Sequence, residues 1–460
     1  MKISEKIVQI RTSCFRPYVI AMISILLLSS LCAVGQIQKD VDSNKISDVP
    51  KAWIDTVAKH RVIRISDEPG SRTLYFNQNV YTPDGKRMVY WAPHGLYVVD
   101  LATFASRKLV AGRTHHSFAI GTTTPTVYFM KSGDQHIYSI NIDTGYELQL
   151  SEVPGYATMI STVNADETLI AGTYLKEANA SWGDFRKIEL AEYKSEDAQS
   201  LEKSGKLHAI LKDKASIKRQ SSGTTEVLFT YNIQTGQVNP ALLSNNWLNH
   251  VQFSPVDPNL IMYCHEGRSN ELQRVWTIHT DGMQNKLVHE TASGEYATHE
   301  FWSKDGKNIW YETGTIGTTG TKEDIKAAKK IFIQGYSIET GKQRLYRVGQ
   351  DQISYHYAGS SSANKFIGDG TIQPASSRWI SIFHSQASST VSDTTNSTAA
   401  SGNFRTERLV NLAKNNYLKL EPNARFSPDE KWVIFTSNMH GESYVYAVEV
   451  EQTQNSTSEK

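Results

Sequence analysis

The chain has 460 residues, with 48 Lys and Arg against 47 Asp and Glu and a formal net charge of +1. That balance offers no basic face for nucleic acid or for an anionic membrane. Its 3 cysteines are too few for a disulfide scaffold, so stability has to come from a large core.

Lys2, Lys6, Arg11 and Arg16 precede an almost wholly apolar run from Tyr18 to Leu31, and Ala33-Val34-Gly35 supplies small residues at the cleavage spacing. Residues 1–35 therefore read as a secretory signal peptide, with Gln36 as the mature N-terminus. The apolar run is shorter than the ~20 residues a bilayer span needs. Leu31 is too large for the position before a lipidated cysteine, which argues against a lipoprotein built on Cys32. The expected protein is exported, periplasmic or extracellular, with no membrane partner after cleavage and Cys264 as its one remaining thiol.

A lead segment, 36–60, is followed by Val62-Ile63-Arg64-Ile65-Ser66, a strand suited to closing a ring of sheets. Next comes a repeated hairpin. Tyr81–Tyr90, Phe253–Tyr263, Phe301–Tyr311 and Phe426–Phe435 each place a Pro-Asp-Gly type of turn between runs rich in β-branched and aromatic residues. An alternating strand and an Asp/Glu-Thr-Gly type of turn follow each time, as at Ile137–Gly145, Tyr231–Gly236 and Gly335–Gly341. Four strands per unit, recurring at roughly 40 to 70 residues, is the pattern of propeller blades. The expected fold is all-β: a seven-bladed β-propeller of four-stranded antiparallel blades over 61–450, with blades starting near Tyr81, Val127, Val163, Phe253, Phe301, Tyr357 and Phe426. Two insertions interrupt it. Residues 174–223 are charged, with a helical look over 185–211, and 385–403 is Ser/Thr/Ala-rich and expected to be a mobile loop. Residues 451–460 form a polar tail.

In such a blade the start of the inner strand and the end of the second strand open on the same face. At those positions stand Arg72, Tyr75 and Gln78; Arg113, His115 and His116; Trp247 and His250; His265 and Glu266; His299 and Glu300; His356; and Glu421, Asn423 and Arg425. Taken singly, each histidine suits a hydrogen-bonded structural role. Several on one face suit a pocket of convergent polar groups. Gln78, His116, His250, Glu266 and His356 are the candidate substrate contacts. Glu266 and Glu300 also suit the orientation of neighbouring imidazoles, Trp302 suits the core, and Cys264 reads as a small buried hydrophobe.

Trp247-Leu248-x-His250, Cys264-His265-Glu266-Gly267, Thr298-His299-Glu300-Phe301-Trp302-x-x-Asp305-Gly306 and Gly368-Asp369-Gly370, in this order, resemble the oligogalacturonide lyases. The resemblance implies a propeller enzyme that cleaves short pectin fragments, or other uronate-containing oligosaccharides, by β-elimination. It also implies His265 as the catalytic base and His299 as a ligand of a divalent metal, typically manganese. One stretch departs from the family pattern. Where the family has Gln-x-x-His-Pro-His, this chain has Leu418-Lys-Leu-Glu421-Pro-Asn423. Two arrangements then stay open: His299, Glu421 and Asn423 hold manganese, calcium or magnesium, or Arg425 or Arg72 pairs directly with the substrate carboxylate. The altered motif also leaves room for a non-catalytic propeller of the TolB or WD-repeat type that binds a glycan or protein. A glycoside hydrolase using two of Glu266, Glu300 and Glu421 is a third reading. A monomer or dimer is expected.

Overall fold

The repeated turns set the frame of the molecule. The Thr82 hydroxyl donates to Asp84, Ser303 to Asp305 and Ser427 to Asp429, each at 2.6 Å. Each carboxylate also accepts the main-chain N–H two residues on, at Lys86, Lys307 and Lys431. The intervening residue takes a left-handed φ: +69° at Gly85, +67° at Gly306 and +57° at Glu430. Glycine does this freely, whereas Glu430 bears a cost of about 1 kcal/mol. The second kind of turn is capped by a side-chain amide. Asn141 accepts the N–H groups of Asp143 and Thr144, and Asn232 accepts those of Gln234 and Thr235. These local bonds fix the hairpin registers before any sheet packs on another.

The computed structural model describes residues 49–177, 223–266, 272–315, 330–387 and 400–452, apart from 363, 373 and 418. Six sheets arise from the hairpins among the described residues. The first contains Arg87–Ala92, Gly95–Asp100 and Ser106–Ala111, flanked by the bridge Tyr81↔Met88. The second runs Thr114–Ile120, Thr126–Lys131, His136–Asn141, Glu147–Glu152. The third runs Tyr156–Val163, Leu169–Leu175, Glu226–Asn232, Val238–Ser244. The fourth runs Trp247–Phe253, Leu260–Glu266, Val275–His279, Lys286–Leu287. The fifth has eight strands in two antiparallel halves. One half runs from Glu295–Trp302 to Gln343–Val348 and the other from Tyr357–Gly359 to Ala400–Asn411. A parallel pairing of Arg344–Tyr346 with Ala400–Gly402 joins them.

The last sheet is built from both ends of the described chain. Arg61–Arg64 pairs with Glu442–Glu449, with Val62 opposite Val448 and Ile63 opposite Ala447. Ala52–Ile54 adds a further strand on the outside, so part of the lead segment belongs to a sheet.

Apolar clusters fill the spaces between successive sheets. Leu228 and Ala171 meet Leu248 and Tyr263, and Met262 and Val275 meet Ala297 and Ile309. Phe301 and Trp310 meet Phe366 and Phe383, while Ile434 and Val445 meet Val99 and Phe118 in the largest cluster. Face-to-face packing repeated in this way makes a propeller-like ring whose inner-strand starts share one face.

Two boundaries differ from the sequence reading. Val127 lies in the second strand of its sheet; the inner strand is Thr114–Ile120, hidden by its polar opening Thr-His-His-Ser. Strands continue into the expected loop 385–403, through Ala387 and again from Ala400. Main-chain pairing to a neighbouring edge sustains that extension, which needs no apolar alternation. The signal peptide and the helical segment 185–211 lie outside the described residues. No helix among the described residues is long and apolar enough to cross a membrane.

Val62 is fully buried in the closing strand. Val62→Asp places a carboxylate among apolar neighbours and should cost about 3 kcal/mol or more. A thermal melt checks this: the midpoint should fall by several degrees, and an unchanged midpoint would mean the ring does not depend on this strand.

Candidate functional site

Three inner-strand starts share an unusual backbone. His250, His299 and Asn423 have φ of +50°, +57° and +52°. His250 lies in a bulge between Asn249 and Gln252, and His299 in one between Thr298 and Phe301. Non-glycine residues in this region carry strain of about 1–3 kcal/mol each, and such strain clusters at functional sites. The bulges re-aim each side chain out of the sheet.

His250 and Glu300 form the first cluster. The His250 Nδ1 donates to Glu300 Oε1 at 2.7 Å, and Glu300 is completely buried. Arg274 clamps this pair: its Nε donates to Glu300 Oε2 and its Nη2 to Glu266 Oε2, both at 3.2 Å. Burial alone would raise the Glu300 pKa, but Arg274 and His250 hold it well below the usual carboxylate range. The His250 Nε2 lies 3.9 Å from Glu266.

The second cluster joins two more imidazoles. His299 Nδ1 donates to Glu312 at 3.1 Å, and Glu312 also accepts from the Tyr296 hydroxyl at 2.7 Å. His356 Nδ1 donates to Asp369 at 2.7 Å, and its Nε2 faces Glu421 at 3.6 Å. The two rings are 4.9 Å apart between centroids. Burial pushes the His299 pKa down, against the pull of Glu312. Burial pushes His356 down as well, but Asp369, with Glu421 and Glu312, outweighs it and the pKa is raised.

A short stretch, Leu74–Gln78, lies across these clusters. Arg425 donates to the carbonyls of Leu74, Tyr75 and Gln78. Asn423 accepts the Phe76 N–H at 3.1 Å, and Asn77 donates to the Glu300 carbonyl at 2.9 Å. The Tyr75 ring thereby sits 4.9 Å from both His250 and His356, and Phe76 stacks on His356 at 4.8 Å.

The expected residues divide accordingly. His250, His299, Glu300, Glu266, His356 and Glu421 converge. His265 does not join them. Strand residues alternate between faces, and His265 follows Tyr263 onto the face opposite Cys264 and Glu266, with ring contacts to Tyr263 at 5.5 Å and Trp276 at 6.0 Å. Burial lowers its pKa to about 4. Arg425 is buried and spends its guanidinium on three carbonyls, so it braces Leu74–Gln78 and is not free to meet a substrate carboxylate. Asn423 spends its carbonyl on Phe76 and its amide on the Glu421 carbonyl, which removes it from the ligand set. His116 bonds the Thr73 carbonyl at 3.2 Å, and burial, with Arg72 beside it, lowers its pKa to about 4. Arg72 is exposed and bridged through its main chain to Trp91. Gln78 reaches the Ser161 carbonyl at 3.5 Å. Leu418 lies outside the described residues.

Arg274, Glu312 and Asp369 went unassigned in the sequence. Glu312 carried a usable signal, a lone carboxylate in the apolar strand Ile309-Trp-Tyr-Glu-Thr. Arg274 carried none: its neighbours are a strand start like any other.

Among the described residues, one group of three side chains has its ligand atoms close enough together for a single metal ion. His250, Cys264 and Glu300 have ligand atoms within 4.8 Å of one another. There, however, Glu300 is neutralised by Arg274, and burial pushes the Cys264 thiol well above its ordinary pKa. His299, His356 and Glu421 suit a divalent cation by donor type, with the His356 Nε2 3.6 Å from Glu421 and the two rings 4.9 Å apart. Each imidazole has its Nδ1 anchored by a carboxylate and its Nε2 left over, the usual support of a metal-binding histidine. Glu421 supplies an oxygen, and side-chain oxygen with imidazole suits manganese-like ions.

His356 with its raised pKa stabilises the fold fully below its ordinary value of 6.5, and that contribution is lost as pH rises through the raised value. Asp369→Asn removes the main cause. In chelator-treated protein, thermal melts should show the wild-type advantage over Asp369→Asn largest at mildly acidic pH and narrowing in alkali. A gap that widens with pH would contradict this assignment.

The comparisons agree on one family. A family model described as oligogalacturonate lyase matches residues 41–332. An oligogalacturonate lyase of Dickeya dadantii is 23% identical over 439 residues, covering 88% of this chain and 97% of the relative. An oligogalacturonide lyase of Pectobacterium atrosepticum is 24% identical over 439 residues, with the same coverage. A solved oligogalacturonate lyase in complex with manganese superposes with a TM-score of 0.66 at 20% identity, over 87% of this chain and 96% of its own, a likeness that carries the fold.

Proposed function

This chain belongs to the oligogalacturonate lyase family, and on that premise we propose that it cleaves short uronate-containing oligosaccharides by β-elimination, with His250 as the base. The observation that carries this reading is the His250–Glu300–Arg274 array. The Nδ1–Glu300 bond fixes the tautomer that leaves Nε2 able to accept the proton α to the uronate carboxylate. Glu300 then stabilises the imidazolium, and Arg274 keeps Glu300 ionised. We read the ring as seven blades, taking the eight-stranded sheet as two, with residues 1–35 directing export to the periplasm or beyond.

The substrate is an anion, while the centre gathers Glu266, Glu300, Glu312, Asp369 and Glu421. A carboxylate entering this field needs a compensating cation. Manganese or calcium held by His299, His356 and Glu421 would supply that charge when bound, offsetting the carboxylate and the enolate derived from it. His299 and His356 serve this site through Nε2, each held in place by its own carboxylate.

Absorbance of the unsaturated uronate, followed with digalacturonate and trigalacturonate, tests the reading. We expect manganese-supported activity that chelator abolishes. His250→Ala should lower kcat by about 10³-fold or more, while His265→Ala should stay within about tenfold of wild type. Loss at His265 with retention at His250→Ala would return the base to His265. Activity indifferent to chelator would remove the metal from the reaction.

A further inference from the structure

Elimination also needs an acid, because the glycosidic oxygen leaves as an alkoxide unless it is protonated. The three imidazoles are committed as base or metal-site groups, and Glu300 is held ionised. We propose that Tyr75 is the proton donor to the leaving oxygen, an inference that rests on the elimination reading above.

The placement of Tyr75 supports this role. Its main chain is fixed on both sides, by Arg425 on the carbonyls of Leu74, Tyr75 and Gln78 and by the Phe76 N–H bond to Asn423. Phe76 beside it is buried at 4% exposure, whereas Tyr75 stays partly open. Its ring touches both His250 and His356, each at 4.9 Å between centroids. The phenol oxygen makes no hydrogen bond among the described residues, so its proton is uncommitted. The stretch therefore holds an O–H donor beside both the base and the His356 imidazole.

The step balances without a further reactant. His250 Nε2 takes the proton from C5, the C–H electron pair becomes the C4=C5 double bond, and the C4–O4 bond breaks. The phenol proton passes to O4, which leaves as a sugar hydroxyl. The resulting phenolate is reprotonated from the His250 imidazolium beside it, restoring both groups.

Tyr75→Phe keeps the ring and its contacts and removes only the hydroxyl. Full-length, manganese-supplemented wild type and variant are compared on digalacturonate and on a 4-deoxy-4-fluoro galacturonide, whose fluoride leaves without a proton. We expect Tyr75→Phe to lose about 10²-fold or more in kcat on digalacturonate, with little change in KM, and to remain within about threefold of wild type on the fluoride. Equal losses on both substrates, or no loss on digalacturonate, would overturn the role of Tyr75 while leaving the lyase reading intact. A folded wild type inactive on both substrates would overturn the elimination reading and this inference with it. A melting temperature for Tyr75→Phe matching wild type guards against loss through unfolding.

Discussion

The bonds from Arg274 to Glu266 and Glu300, both 3.2 Å, decide what the centre of this molecule can do. Two carboxylates facing each other without a cation would take up a proton, and a protonated Glu300 could not hold His250 in its basic tautomer. With Arg274 beside it Glu300 stays charged. His250 gains a fixed orientation, and the cost of burying the array is met by its mutual pairing. The same carboxylates make the pocket hostile to an anion. An anion entering this pocket would need a second positive centre to offset them.

Geometry follows from strain as much as from charge. On or just before three inner strands stands a residue in the left-handed region, and none of the three is glycine. A regular strand would send His250 and His299 alternately into the inter-sheet packing, as happens to His265. The bulges break that alternation at the rim of the ring, and the surrounding clusters of Phe, Trp and Leu over-determine the fold enough to sustain the cost. Arg425 and Asn423 belong to this supporting structure: their side chains hold Leu74–Gln78 over the pocket.

How far the sequence revealed this depended on whether a feature was local. The turns at Thr82–Asp84, Ser303–Asp305 and Ser427–Asp429 are local, and so they and the strands they join were legible, as was the recurrence of histidine at strand starts. Which histidine faces the pocket was not legible, because one bulged residue inverts the choice and no residue type announces a bulge. His265, adjacent to Cys264 and Glu266, looked better placed than His250 until the register was known. Arg274 was invisible for a different reason. A charged residue at a strand start is usually solvated, and only the pairing of distant carboxylates makes it central. The polar opening of Thr114–Ile120 likewise shifted the expected start of that blade to Val127, although Arg113, His115 and His116 were read at an inner-strand start.

The altered motif at Glu421-Pro-Asn423 reads differently once its surroundings are known. Replacing two imidazoles with a carboxylate and an amide does not simply trade nitrogen ligands for oxygen ligands. Asn423 turns inward to brace Phe76, with its carbonyl on the Phe76 N–H and its amide on the Glu421 carbonyl. Glu421 remains half-open and faces the His356 Nε2, which brings a buried imidazole from a different sheet into reach. A cation there would be held by one carboxylate and two imidazoles, each imidazole backed by its own acid. Added negative charge favours a harder ion than the family arrangement does. Asp369 and Glu421 also raise the pKa of His356 against its burial, so a cation bound there would compete with a proton.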